Sequence, residues 1–185
     1  MEIKNIPGTM LPYSDTNVKA FSNIKPLIAA AGGLSLSQVC AITGLEGSTI
    51  QNWVKRGWVG ALREKKYSEG QVARVLIINA LRDCLQLESI ARLLTFVNGV
   101  VMDPTDDIVE EGELFNCLCE AARVTELGEN VSRASVAAAV DRVLEGYAGG
   151  DEARSRLRAA LIVMVYACLC SELSQTTNTL LAQII

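Results

Sequence analysis

Histidine is absent from this sequence of 185 residues, and with it the side chain that enzymes most often use as a general base. A glycine-rich phosphate loop and a nucleophile paired with a base are absent as well. An enzyme made from this chain would have to work with cysteine, lysine or carboxylates alone. The sequence therefore favours a protein that is not an enzyme and that binds no cofactor.

Aromatic residues are scarce. They make up 5% of the chain, whereas apolar residues make up 50%, so small aliphatic side chains must fill most of the core. This composition favours packed helices over a sheet. The chain is long enough to bury the core of one domain or of two small ones.

Long apolar runs and a signal peptide are missing too. The longest apolar run, Ala159 to Cys170, has 12 residues, fewer than the ~20 that span a bilayer, and it indicates a buried helix. The N-terminal segment lacks the apolar core of a signal peptide. We therefore expect a cytoplasmic protein that does not enter a membrane.

The cysteines follow apolar helical patterns, which predicts reduced, buried thiols. They are Cys40, Cys84, Cys117, Cys119, Cys168 and Cys170. The pairs 117/119 and 168/170 suggest a metal sensor, but residues i and i+2 of a helix point about 200° apart and cannot chelate one ion. No metal site is expected, and a redox or metal role for these four cysteines is left open.

Positive charge is concentrated in the first half of the chain. Residues 1–98 hold 11 Lys and Arg against 7 Asp and Glu, whereas residues 99–185 hold 6 against 14. The first part therefore carries a net charge of +4 and the second −8. Between Ser48 and Tyr67 there are five basic residues and one acidic residue, a density suited to phosphate contacts.

A helix-turn-helix is predicted within this basic region. Ser35 to Thr43 has the pattern of a short apolar-faced helix that ends at Gly44, and the turn Gly44 to Gly47 leads to a second helix near Ser48. Ile50, Trp53 and Val54 fall on one face of the second helix and are assigned to the core. Such spacing is typical of the motif.

The opposite face of the second helix carries the candidate DNA-reading residues. Gln and Asn side chains pair with adenine, and Lys and Arg reach guanine or the backbone. Helix N-termini attract phosphate, so the first residues can cap the helix and touch DNA together. An isolated amphipathic helix is more often only solvated, but the flanking turn and charge favour DNA contact by Ser48, Thr49, Gln51, Asn52, Lys55 and Arg56.

Residues 58–67 are too short and too rich in Gly and Lys for a helix, and they predict a small two-stranded wing. Arg63, Lys65 and Lys66 on this wing are expected to grip phosphates rather than to read bases. Tyr67 either packs under the wing or donates to a phosphate. Ser68 then caps a new helix, with Gln71 in the capping-box position.

These motifs resemble those of MerR-like winged helix-turn-helix domains. The matching run is TIQNWVKRGWV, residues 49–59, followed by the basic residues up to Tyr67. The longer runs TGLEGSTIQNWVKRGWV and KKYSEGQVARVLIINALRD are similar to a bacterial family with a domain of unknown function and a MerR-like N-terminal half. The resemblance implies a winged, DNA-binding fold. Gln51 replaces an arginine common in that pattern, and no long heptad helix follows.

The remaining sequence predicts an arm, a short helix and an all-helical second half. Residues 1–33 form the arm, packed through Ile3, Leu11, Tyr13 and Phe21, and a buttressing helix; residues 34–99 form the winged domain; residues 106–185 form a helical dimerisation or effector region. We expect helices at about Asp106–Val124, Ser132–Tyr147 and Asp151–Ile185, the last broken near Ser171 to Thr177.

The sequence between Asp103 and Glu113 holds six carboxylates. Such a run is typical of the solvated first turn of a helix, and the alternative interpretation is a divalent-cation site.

The sequence thus predicts a mainly α protein with a MerR-like winged helix-turn-helix. Its predicted function is that of a cytoplasmic bacterial transcriptional regulator that binds double-stranded DNA as a homodimer. A small-molecule effector of unknown identity would act through the helical half. The competing hypothesis is a protein-protein interaction module that uses the same scaffold without binding DNA.

Overall fold

The computed structural model describes residues 5–13, 19–101, 105–126 and 131–185. Within these ranges the protein is built from helices, which confirms the prediction of a mainly α fold. A 3₁₀ turn at Ala20–Asn23 precedes α1 (Lys25–Ala31), α2 (Leu36–Thr43), α3 (Gly47–Lys55), α4 (Glu69–Leu81), α5 (Leu87–Asn98), α6 (Glu111–Glu126), α7 (Arg133–Val143) and α8 (Asp151–Ala182).

The start and stop signals of α2 explain why the helix-turn-helix forms. The Ser35 hydroxyl accepts a hydrogen bond from the Gln38 backbone amide, and the Gln38 side chain accepts one from the Ser35 amide. Gly44 ends the helix in the left-handed conformation, with φ 70°, which glycine adopts at little cost. The predicted limits of α2 and the following turn are therefore confirmed.

The predicted two-stranded wing is wrong, since the described residues contain no strand. Between residues 58 and 67 there is one isolated bridge, Arg63 to Lys66, and a second bridge pairs Tyr67 with Leu34 instead. Side chains of α4 take the carbonyl groups that a strand would use: Gln71 Nε2 donates to Gly60 at 2.7 Å and to Ala61 at 2.9 Å. Once these carbonyls are satisfied, no partner strand is needed.

Helix α4 lies at the centre of the molecule. All residues from Val72 to Ile78 are buried, and α4 packs against both α6 and α8. Helix α6 packs in turn against α7 and α8, and one hydrophobic cluster runs from Ile6 to Leu169. The helix-turn-helix and the C-terminal helices therefore share a continuous core.

The N-terminal arm contributes to this core. Ile6 and Phe21 are buried, and the Phe21 ring meets Phe115 of α6 edge to face, with 6.1 Å between centroids. The Phe21 amide also donates to Asn116 Oδ1 at 2.8 Å. Ile3, for which a similar role was predicted, lies outside the described residues.

Several predicted limits in the second half need correction. Helix α6 begins at Glu111 rather than near Asp106, because the Asp106 carboxylate accepts the Val100 amide at 3.1 Å and closes a turn. Helix α7 ends at Val143, before Tyr147, whose hydroxyl donates to the Ile108 carbonyl at 2.7 Å.

Helix α8 is continuous, so the predicted break near Ser171 to Thr177 is also wrong. The segment holds neither Gly nor Pro, and the Thr177 hydroxyl donates back to the Leu173 carbonyl at 2.8 Å without interrupting the helix. By length and composition α8 could cross a membrane, but half of its most apolar window is buried inside the protein. The buried core helix of a globular protein has the same length and composition, so these two properties alone do not indicate a membrane span.

Candidate nucleic-acid interface

The orientation of α3 is fixed by its apolar face. Ile50 is fully buried and Trp53 is 1% exposed. A side chain at Gly47 would come within 3.2 Å of Leu36 Cδ2, so this glycine allows α2 to approach α3 closely. The close packing of α2 against α3 therefore fixes the direction in which the polar face of α3 points.

The predicted DNA-reading side chains share the outer face of α3. Ser48, Gln51, Asn52 and Lys55 are exposed, and Thr49 is half-buried. Among the described residues, no hydrogen bond or ion pair engages the side chains of Gln51, Asn52 or Lys55. Two amides and one ammonium group are thus available on a rigid, outward-facing surface.

Arg56 is exposed but already partnered. Its Nη1 lies 3.3 Å from Glu88 Oε1, in the first turn of α5, and its guanidinium stacks over the Trp58 ring at 5.0 Å from the centroid. A pair this exposed contributes about 0–1 kcal/mol, so a phosphate group could displace the carboxylate. Sequence analysis missed Glu88, because the two residues are 32 positions apart.

Residues Arg63 to Lys66 form a tight turn, here named the basic turn. Glu64 and Lys65 have φ of 51° and 59°, and the Lys66 amide donates to the Arg63 carbonyl at 2.9 Å. Arg63, Lys65 and Lys66 are exposed. Lys66 Nζ donates to the Ala31 carbonyl, at the C-terminus of α1, over 2.5 Å, which leaves Arg63 and Lys65 as the cations of this turn that are unengaged among the described residues.

Tyr67 does not belong to the accessible surface. Its side chain is 0% exposed, its backbone pairs with Leu34, and its hydroxyl has no hydrogen-bond partner among the described residues. Burial raises the pKa of Tyr67. Of the two roles left open for this residue, packing in the core is the one that the structure shows, so it is removed from the set of DNA-contacting candidates.

Arg74 and Glu111 form a buried ion pair behind the basic turn. Their side chains are 5% and 12% exposed, and Arg74 Nε also donates to the Trp58 carbonyl at 2.7 Å. Burial raises the pKa of Glu111, although the neighbouring Arg74 opposes this shift. The pair links α4 to α6.

A pocket of about 410 Å³ lies between the basic turn, the start of α4 and the segment leading to α6. Its lining includes the basic residues Arg63, Lys66 and Arg74 and the acidic residues Asp107 and Glu111. The mixed charge was not predicted, since the acidic run lies about 40 residues from the basic turn.

The acidic run gives no metal centre in the part of the chain that is described. No group of three or more Cys, Asp or Glu side chains is placed to hold an ion there. Glu111 pairs with Arg74, Glu113 pairs with Lys19, and Asp106 caps the Val100 amide. Asp103 lies outside the described residues.

The cysteines depart from the prediction of uniform burial. Cys117, Cys119 and Cys168 are buried, Cys40 is half-buried, and Cys84 and Cys170 are exposed. Burial raises the pKa of Cys117 to about 12 and also raises that of Cys119. Buried, protonated thiols are unreactive.

Comparison with known proteins finds similarity over the part of the chain that carries this surface. Residues 33–115 match the model of a domain of unknown function, DUF1836. A stretch of 80 residues is 31% identical to the uncharacterized protein YkrK of Bacillus subtilis (strain 168) and covers 41% of this chain and 34% of that protein. The chain thus matches about a third of the length of this curated relative. No solved structure matches the chain.

The matched range includes all of α2 to α5, the basic turn and the first residues of α6. It therefore contains every residue for which a DNA contact was predicted, together with both members of the Arg74–Glu111 pair. The match to the DUF1836 model is confined to residues 33–115, less than half of the chain.

Proposed function

We propose that the protein is a cytoplasmic, MerR-like transcriptional regulator that binds double-stranded DNA with the outer face of α3. The observation that carries this proposal is the set formed by Gln51, Asn52 and Lys55. All three are exposed and unengaged among the described residues, on a helix anchored by Ile50 and Trp53.

The dimensions of α3 suit a major groove. Its nine residues span about 14 Å at 1.5 Å per residue, and the groove is about 12 Å wide. The amides of Gln51 and Asn52 match the donor and acceptor pair on adenine, and Lys55 lies one helical turn after Gln51, where it can reach guanine or phosphate.

The basic turn supplies a second, sequence-independent contact. Arg63 and Lys65 project from the basic turn, and the backbone just before this turn is held to α4 by hydrogen bonds from Gln71 to Gly60 and from Arg74 to Trp58. Cations fixed in this way grip the phosphate backbone and set the register of the reading helix. The approach is electrostatically favourable despite the overall charge of −4, because residues 1–98 carry +4.

A homodimer follows from the size of the contact. One short helix and one turn bury little DNA surface, and helix-turn-helix proteins gain affinity by binding two half-sites about one helical turn apart. The C-terminal helices would provide the subunit contact, and the pocket beside the basic turn offers a place for an effector.

The experiment that tests this function is recovery of bound genomic fragments from cells, followed by titration of the recovered duplex at several salt concentrations. Lys55→Ala and Gln51→Ala should each weaken binding about 5- to 100-fold. Lys55→Ala should also reduce the slope of log affinity against log salt. Arg142→Ala, which removes a charge from the exposed face of α7, is the matched control and should bind as the native chain does.

The competing function, a protein-protein interaction module, is favoured by one observation. The final part of α8 exposes Leu173, Leu180 and Leu181, which is unusual for a helix end that contacts only solvent. Duplex binding that stays equal in the native chain, Lys55→Ala and Gln51→Ala would reject the regulator and leave this alternative.

A further inference from the structure

Cys84 and Cys170 lie beside each other at the surface. Cys84 stands in the turn between α4 and α5, and Cys170 is on α8. Cys170 is close enough to Cys84 to raise the pKa of its thiol, and both side chains are exposed. They are 86 positions apart in the sequence, which is why no sequence spacing revealed them.

The neighbouring residues hold the two segments together. Ser171 Oγ donates to Asp83 Oδ2 at 3.2 Å, and α4 packs against α8 along the core. Ser171 is itself buried. The Ser171–Asp83 hydrogen bond therefore ties the turn that carries Cys84 to α8 directly beside both cysteines.

We propose that Cys84 and Cys170 form a redox-active dithiol, a modification site that hydrogen peroxide converts into an intramolecular disulfide. The proposal does not depend on DNA binding. The disulfide would join the α4–α5 turn to α8 and so lock the C-terminal helix onto the DUF1836 domain.

The chemistry balances with hydrogen peroxide as the oxidant. The Cys170 sulfur, as thiolate, attacks one peroxide oxygen; the O–O bond breaks, and hydroxide leaves and takes up the proton that the thiol had released. Cys170 is now a sulfenic acid. Cys84 Sγ attacks its sulfur, the S–S bond forms, the S–O bond breaks, and the hydroxyl leaves with the Cys84 proton as water. Two thiols lose two electrons, and one peroxide becomes two waters.

The order of attack follows from the surroundings of Cys84. Burial, and then the hydrogen bond to Cys170, raise the pKa of Cys84. A raised pKa disfavours the Cys84 thiolate, so we assign Cys84 the resolving step and Cys170 the first attack.

Other cysteines cannot replace this pair. Cys117 and Cys119 on α6 and Cys168 on α8 are buried. Cys40 is half-buried on α2, against the α2–α3 contact. Peroxide in solution reaches Cys84 and Cys170 first.

The test treats the full chain with a few equivalents of hydrogen peroxide, then unfolds it and alkylates the remaining thiols. We expect two fewer alkylated cysteines and a single cross-linked peptide that contains Cys84 and Cys170. Dithiothreitol should restore both thiols. Because the cross-link closes a long loop and restricts the unfolded chain, the oxidised protein should melt several degrees above the reduced one.

The variants Cys84→Ser and Cys170→Ser should give no intramolecular cross-link, whereas Cys40→Ser should form it as the native chain does. Melting curves of the reduced variants check that each one folds. Conversion of both cysteines to sulfinic acids without a cross-link would overturn the proposal. So would a disulfide that joins two chains, or a cross-link that persists in Cys84→Ser.

Discussion

At the scale of single residues, the proposed DNA-reading side chains differ in how freely they can act. Gln51, Asn52 and Lys55 point outward without partners among the described residues, whereas Arg56 pairs with Glu88 and stacks on Trp58. A carboxylate at the end of a reading helix repels phosphate. In the proposed interface, Glu88 would therefore weaken DNA binding while it positions Arg56.

Replacement of Glu88 by Gln should strengthen duplex binding. The change frees the Arg56 guanidinium and removes one negative charge from the interface, so affinity should rise about 3- to 10-fold and its salt dependence should steepen. Stability should change by no more than about 0.5 kcal/mol, because the ion pair is exposed. Fluorescence anisotropy with a recovered duplex measures the affinity and its dependence on salt.

Glu145→Gln provides the control for net charge, because Glu145 is exposed in the turn after α7. If this variant strengthens binding as much as Glu88→Gln does, the effect is one of total charge. Arg56 would then have no special role in the interface.

At the scale of elements, the sequence predicts the helices well because their signals are local. Ser35 with Gln38, Ser68 with Gln71, and the glycine at position 44 mark helix ends within a few residues. The wing was mispredicted because its outcome depends on contacts across 10 to 16 positions, from Gln71 to Gly60 and Ala61 and from Arg74 to Trp58. The position of Tyr67 also depends on a residue distant in sequence, because its backbone pairs with that of Leu34.

Gln71 is the residue on which the shape of segment 58–67 depends. Gln71→Ala should expose the Gly60 and Ala61 carbonyls and open the capping box of α4, at a cost of about 1–3 kcal/mol in the free energy of unfolding. Hydrogen exchange should accelerate at the amides of residues 60–66. Urea denaturation and exchange mass spectrometry report these two effects.

Gln38→Ala is the matched control for the capping role alone. Gln38 closes the same kind of box at the start of α2, but no carbonyl of segment 58–67 depends on it. The control should cost about 1 kcal/mol and leave exchange in residues 60–66 unchanged. Equal exchange in both variants would mean that Gln71 does not hold the segment.

At the scale of the whole molecule, a shared core joins the proposed DNA-binding surface to the C-terminal helices. Helix α4 packs against α6 and α8, and the buried Arg74–Glu111 pair links α4 to α6. Neither sequence periodicity nor charge count predicts such a pair, because each partner reads as an ordinary surface residue. Movement of α6 would be transmitted to the Trp58 carbonyl through Arg74.

We expect the Arg74–Glu111 pair to determine how the free energy of unfolding depends on pH. Arg74→Met removes the cation and leaves a buried carboxyl at Glu111, which should destabilise the fold by about 3–5 kcal/mol at neutral pH. Burial already raises the pKa of Glu111 in the native chain, and loss of Arg74 removes the main influence that lowers it. The folded pKa then rises further above the unfolded value.

The direction in which the stability of Arg74→Met changes with pH follows from the difference between the folded and unfolded pKa of Glu111. A carboxyl whose pKa is raised by folding binds its proton more readily in the folded state, so the destabilisation of Arg74→Met should be small below the unfolded pKa and should grow as pH rises through the folded pKa of Glu111. Urea unfolding between acidic and neutral pH measures this growth. The double variant Arg74→Met with Glu111→Leu should recover most of the lost stability and show no such pH dependence. A double variant as unstable as the single one would show that packing around Arg74, and not the unpaired carboxylate, is what the fold requires.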